Sequence, residues 1–143
     1  MNEETILVHT KLFNYTEVKE HFINEGCFGE DFAGWLKGAL SSLAREGFSL
    51  SEIIQEDYGW GLWIERERSK YWLAVSYAPE GLFDEDYPTD AEGDWYVHLN
   101  YDPGLNLISR LFHKPNAATF ELVRDHLLAT LRAREGITIK SRC

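Results

Sequence analysis

The sequence predicts an α+β fold: a two-layer, mainly antiparallel β-sheet packed against two long amphipathic helices, forming a single globular domain over 1–143. Three observations lead there. Apolar residues recur at helical spacing over 32–46 and again from 116 to 136, while period-2 alternation runs through 4–13 and 58–77. A chain of 143 residues with a hydrophobic share of 44% also has enough apolar material for one domain with a core of its own.

The elements follow in order. ETILVHTKLF (4–13) places Ile6, Val8 and Leu12 on one side and Leu7, His9, Lys11 and Phe13 on the other, the period of a strand. Thr16 can cap a short helix through about Asn24, with Val18 and Phe22 on one face and Gly26 as its end. Asp31 is the expected N-cap of FAGWLKGALSSLAREG, where Phe32, Trp35, Leu36, Ala39, Leu40 and Leu43 follow the helical repeat and Gly47 supplies the stop.

From Ser51 to Tyr101 the pattern turns strand-like. IERERSKYWLAVSY reads as a hairpin turning near Arg68, Ser69 and Lys70, with Tyr71, Leu73, Val75 and Tyr77 on one face and Trp72, Ala74 and Ser76 on the other. The polar run PEGLFDEDYPTDAEGD connects it to the strand WYVHLNYD and the turn Asp102-Pro103-Gly104. LNLISRLF fits either a returning strand or a turn and a half of helix, since so short an apolar run has no decisive period, and the strand is the preferred reading. Pro115 and Asn116 then open a second amphipathic helix with Phe120, Val123, Leu127 and Leu131 in line, closed by Gly136 before a last strand, ITIK.

Charge bounds the function. The net charge is −10, and it is uneven: residues 1–105 hold 21 acids and 7 bases, whereas residues 106–143 hold 3 acids and 7 bases. Such a surface repels a phosphate backbone, which argues against nucleic acid and for a basic protein partner. The start, MNEETILVHT, lacks the basic patch and apolar stretch of a signal peptide, and no uncharged run approaches the roughly 20 residues of a membrane span, so the expected address is cytoplasmic, with no membrane partner. Cys27 and Cys143 lie far apart in sequence and are expected as free thiols.

Chemistry is sparse. The five histidines form no HxxxH and the cysteines no CxxC, and in the acidic run an EF-hand counted from Asp84 fails at Pro88 and Thr89, so no metal or other cofactor is expected. Cys27 in GCFG has no identifiable base. His98 shares a strand face with Tyr96 and Asn100, and with Glu65 or Glu67 it could form an acid–base set. An enzyme centred on His98 ranks below two binding readings.

The first binding reading rests on the run from Glu80 to Asp94, which carries seven acids and no base. Its partner-binding residues are Leu82, Phe83, Asp84, Glu85, Asp86, Tyr87, Asp90, Glu92 and Asp94, apolar anchors set among steering charges. The second rests on EDYGWGLW (56–63). Glycine inside a strand signals close approach of something bulky, either a neighbouring aromatic such as Trp35 or Trp72, or a ligand held by Tyr58, Gly59, Trp60, Gly61, Trp63, Trp72 and Trp95. Small size, acidity, aromatic richness and the lack of a catalytic motif are together similar to the profile of bacterial immunity proteins as a class. That resemblance implies a non-enzymatic, immunity- or antitoxin-like inhibitor of a basic protein, with a small-molecule-binding domain as the alternative.

Overall fold

The computed structural model describes residues 2–78, 92–103 and 116–142. The order is β1 (Glu3–Thr10), α1 (Glu30–Ala39), a 3-10 helix (Ser41–Glu46), β2 (Ser49–Leu50), β3 (Ile54–Glu56), β4 (Gly59–Arg66), β5 (Ser69–Tyr77), β6 (Asp94–Tyr101), α2 (Ala117–Ala133) and β7 (Ile137–Arg142). The fold is α+β, with one antiparallel sheet ordered β2-β4-β5-β6-β1-β7 and β3 also pairing with β4. Among the described residues, no helix is long and apolar enough to cross a membrane.

The alternation in the strands decides which side the helices cover. Ile6 and Val8, Trp60, Leu62 and Ile64, Leu73 and Val75, and Trp95, Val97 and Leu99 are all buried in one cluster. Phe32 and Leu36 of α1 and Phe120, Val123, Leu127 and Leu131 of α2 join it, so both helices lie on that face. Asn116 caps α2, its side-chain oxygen accepting from the amides of Ala118 at 3.0 Å and Thr119 at 3.3 Å. Arg66 ties the ends together by donating to the Glu46 carbonyl and the Thr119 hydroxyl, with its guanidinium 4.5 Å from the Phe48 ring centroid.

The structure departs from expectation in four places. The first long helix is broken: α1 ends at Ala39 and the chain tightens into the 3-10 helix, because Gly38 and the Ser41-Ser42 pair supply little helical propensity. Its N-cap is Gly29, at φ 122°, while the Asp31 carboxylate accepts from the amides of Asn14 at 2.8 Å and Phe32 at 3.0 Å. The helix expected over 16–24 is an irregular segment instead. Asn14 organises it, its side-chain oxygen accepting from the amides of Thr16 and Glu17 in a local turn and its side-chain nitrogen donating to the Glu17 carbonyl. The hairpin turns at Glu67 and Arg68, with Arg66 paired to Ser69 and Glu67 at φ 54°. The expected strand in LNLISRLF and the Gly104 and Pro115 signals lie outside the described residues.

One core group is left unsatisfied. Tyr71 is fully buried, and among the described residues its hydroxyl makes no hydrogen bond of acceptable geometry. Burial, the largest effect, pushes its pKa above the ordinary 10.0, and the nearby Ser69 side chain offsets this only in part. Tyr71→Phe is therefore expected to raise the unfolding free energy by about 1 kcal/mol at neutral pH. The pH dependence has a definite sign. With the folded pKa raised, the protonated hydroxyl contributes stability below 10.0 that is lost as pH rises through the folded value. Urea titrations at neutral and alkaline pH should show Tyr71→Phe more stable and flatter on the alkaline side; lower stability at neutral pH would mean that the hydroxyl has a partner after all.

Candidate functional site

The aromatic stretch is divided between the two faces of the sheet. Trp60 and Trp95 point into the core, 5% and 0% exposed, their indole nitrogens donating to the carbonyls of Cys27 at 2.9 Å and Thr10 at 3.2 Å. Trp63 and Trp72 form a directly opposed cross-strand pair on the other face, with ring centroids 4.8 Å apart. Lys70 lies 4.1 Å from the Trp63 ring centroid, and the Trp72 indole donates to the Tyr58 hydroxyl at 2.9 Å. The seven residues expected around one ligand therefore do not converge, because period-2 alternation sends Trp60 and Trp95 to the side opposite Trp63 and Trp72.

The glycines explain themselves internally. A Cβ at Gly61 would sit 2.5 Å from the Trp72 ring and 2.6 Å from the Leu73 carbonyl oxygen; one at Gly59 would sit 2.0 Å from the Val75 carbonyl oxygen. Of the two coverings weighed from sequence, Trp72 is the one found over Gly61. Backbone approach, which no sequence pattern displays, adds the rest.

The acidic run meets a limit and a correction. Residues 82–87 and Asp90 lie outside the described residues. Glu92 is exposed, but Asp94 is 0% exposed, bound by His9 Nδ1 at 2.9 Å and Lys140 Nζ at 3.4 Å. Asp94 is thus a structural carboxylate of the sheet and no part of a docking surface. It sits opposite His9 in the β1–β6 register, which brings β7's lysine within reach. Glu4 is the second such group, 3% exposed, with Arg142 hydrogen-bonded to it and Arg124 of α2 at 3.9 Å. Its carboxylate raises the pKa of Arg142 and so strengthens that cation.

Neither catalytic candidate assembles as weighed. His98 Nδ1 is 2.8 Å from the Thr5 hydroxyl, its cross-strand partner. Glu65 pairs with Lys70, whereas His98 pairs with Ala74, so they stand several residues apart along the sheet, and Glu67 lies still farther along, in the turn. Cys27 is buried, its thiol donating to the Glu56 carbonyl at 3.1 Å, and burial pushes its pKa up, away from the thiolate. Among the described residues no three His, Cys, Asp or Glu side chains are grouped to hold a metal ion.

What the sequence reading missed is the edge formed by 14–31 and the β3–β4 turn. The Ile23 amide donates to the Gln55 side chain at 2.7 Å, Gln55 returns a bond to the His21 carbonyl at 3.0 Å, and Asn24 donates to the Asp57 carbonyl at 2.7 Å. His21 and Phe22 pack edge-on against Trp60, each 5.9 Å between centroids. Glu17, Glu20, Glu25, Asp31, Glu56 and Asp57 are exposed here, against one lysine, Lys19, which bridges Glu17 at 3.1 Å. The available signal was EVKEHFINEGC, apolar residues among acids without the period of a helix or strand.

No protein-family model matches the chain, and neither the curated proteins nor the solved structures offer a match.

Proposed function

We propose that this chain is a non-enzymatic, acidic protein-binding domain, acting in the cytoplasm as an immunity- or antitoxin-like inhibitor that docks on and blocks a basic protein. The observation that carries this reading is where the C-terminal cations go. Arg124 and Arg142 engage the buried Glu4, and Lys140 engages the buried Asp94. Three of the seven cations of residues 106–143 are thereby engaged by internal carboxylates, while Arg132 and Arg134 stand exposed. A net charge of −10 displayed this way attracts and orients a basic partner. The space a small molecule would need over Gly59 and Gly61 is filled by Trp72 and the β5 backbone, which favours this reading over an aromatic pocket.

The test is affinity capture from the source cell, followed by calorimetry with the purified partner across a salt series and an assay of that partner's activity. A basic partner whose affinity falls steeply with salt, and whose activity is lost at one equivalent, is the expected result. A neutral or acidic partner, or an affinity indifferent to salt, would overturn it.

A further inference from the structure

The segment between β1 and α1, residues 11–29, contains no helix or strand and exceeds the roughly 12–15 residues that connections in compact domains usually reach without a functional reason. It is nevertheless fixed, by the bonds to Gln55 and Asp57 and by Phe22 against Trp60. On it, and on the adjoining turn, stand all four large apolar side chains exposed among the described residues: Ile23 at 57%, Tyr58 at 52%, Val18 at 48% and Leu12 at 46%. Apolar groups held outward on a tethered backbone mark an interaction surface. Next to Val18, between this segment and the start of α1, lies a cleft of about 250 Å³ lined by Phe22, Glu17, Glu30 and Asp31 among others. Lys19 also lines it, already bridging Glu17, and His21 pairs with Glu30 at 2.9 Å.

Resting on the reading of a basic protein partner, we infer that this edge is the docking surface and that its occupant is an arginine-bearing segment of that partner. An aromatic ring with carboxylates around it suits a guanidinium, which is planar, always charged and weakly hydrated enough to leave water for such a site. Val18, Ile23 and Tyr58 supply the apolar contact that flanks the charge and slows dissociation, while Glu20, Glu25 and Asp57 add attraction during approach.

The probe is a synthetic peptide alternating Arg and Leu, with an Asp and Leu peptide as control, titrated into the full chain and followed by amide chemical shifts and calorimetry. Shifts concentrated on 17–31 and 55–58 with the basic peptide alone are expected. Val18→Ser with Ile23→Ser should weaken binding about tenfold without flattening the salt dependence, whereas Glu17→Gln with Glu30→Gln should flatten it. The first variant changes exposed side chains and should keep the parent circular dichroism and melting profile; the second also weakens the His21–Glu30 pair, 2.9 Å apart, so its fold is checked by the same two measurements before its salt dependence is read. Shifts centred elsewhere, or binding insensitive to Val18 and Ile23, would overturn this surface while leaving a basic partner in place. Failure of the basic peptide to bind at all, together with loss of salt dependence toward a captured partner, would overturn both.

Discussion

Gly61→Val is expected to lower the unfolding free energy by about 3 kcal/mol, although valine is much the better strand former. The new Cβ would meet the Trp72 ring at 2.5 Å and the Leu73 carbonyl oxygen at 2.6 Å, and only the first of these can move aside. The Trp72 ring is itself packed at a tilt against Trp63 and hydrogen-bonded to Tyr58, so displacing it undoes a cross-strand pair as well. Gly59→Ala should be harsher per atom added, since its Cβ falls 2.0 Å from the Val75 carbonyl oxygen and the backbone of β4 or β5 has to shift. Gly38→Ala in α1 is the contrast: no atom lies within 4 Å of its Cβ, and alanine there should add about 0.5–1 kcal/mol of stability. Urea denaturation of the three variants checks this. Parent-like stability for Gly61→Val would mean that β4 and β5 do not approach as closely as described.

The elements that were legible share one property: their burial follows a single period. Phe120, Val123, Leu127 and Leu131 mark α2, and Trp95, Val97 and Leu99 mark β6, because each packs one face on one core. The edge at 14–31 was illegible for the complementary reason. Its order comes from Asn14, Asn24 and Gln55 binding backbone groups up to 34 residues away, and hydrogen bonds of that reach leave no periodic trace. Asp94 misled for a related reason. In sequence it ends an acidic run, and only the pairing of β6 with β1 and of β1 with β7 reveals that it faces His9 and Lys140 inside the sheet. The aromatic stretch was half legible. Alternation already separated Trp60 from Trp63, but grouping them as one pocket ignored the face each takes.

Leu40→Ala is expected to cost about 2–5 kcal/mol, most of it surviving in any background that keeps the fold. Leu40 is 1% exposed and sits where α1 gives way to the 3-10 helix, its amide bonded to the Leu36 carbonyl at 2.8 Å and its carbonyl accepting from Leu43 at 2.9 Å. Leu36, Leu40 and Leu43 are all buried, so the stripe predicted from helical spacing persists across a change of helix type, while Trp35 packs only at its margin. That persistence identifies what holds the junction. A 3-10 turn has poorer hydrogen-bond geometry than an α-helix and gains little by itself, so the side-chain burial of Leu40 and Leu43 is what keeps Ser41–Glu46 ordered against the sheet. Truncating Leu40 should therefore leave a cavity and also loosen residues 41–46, speeding amide exchange there more than in α2. Denaturation gives the first quantity and hydrogen exchange the second. A loss under about 1 kcal/mol would show that the site collapses around the smaller side chain, and unchanged exchange at 41–46 would show that the backbone holds the junction without it.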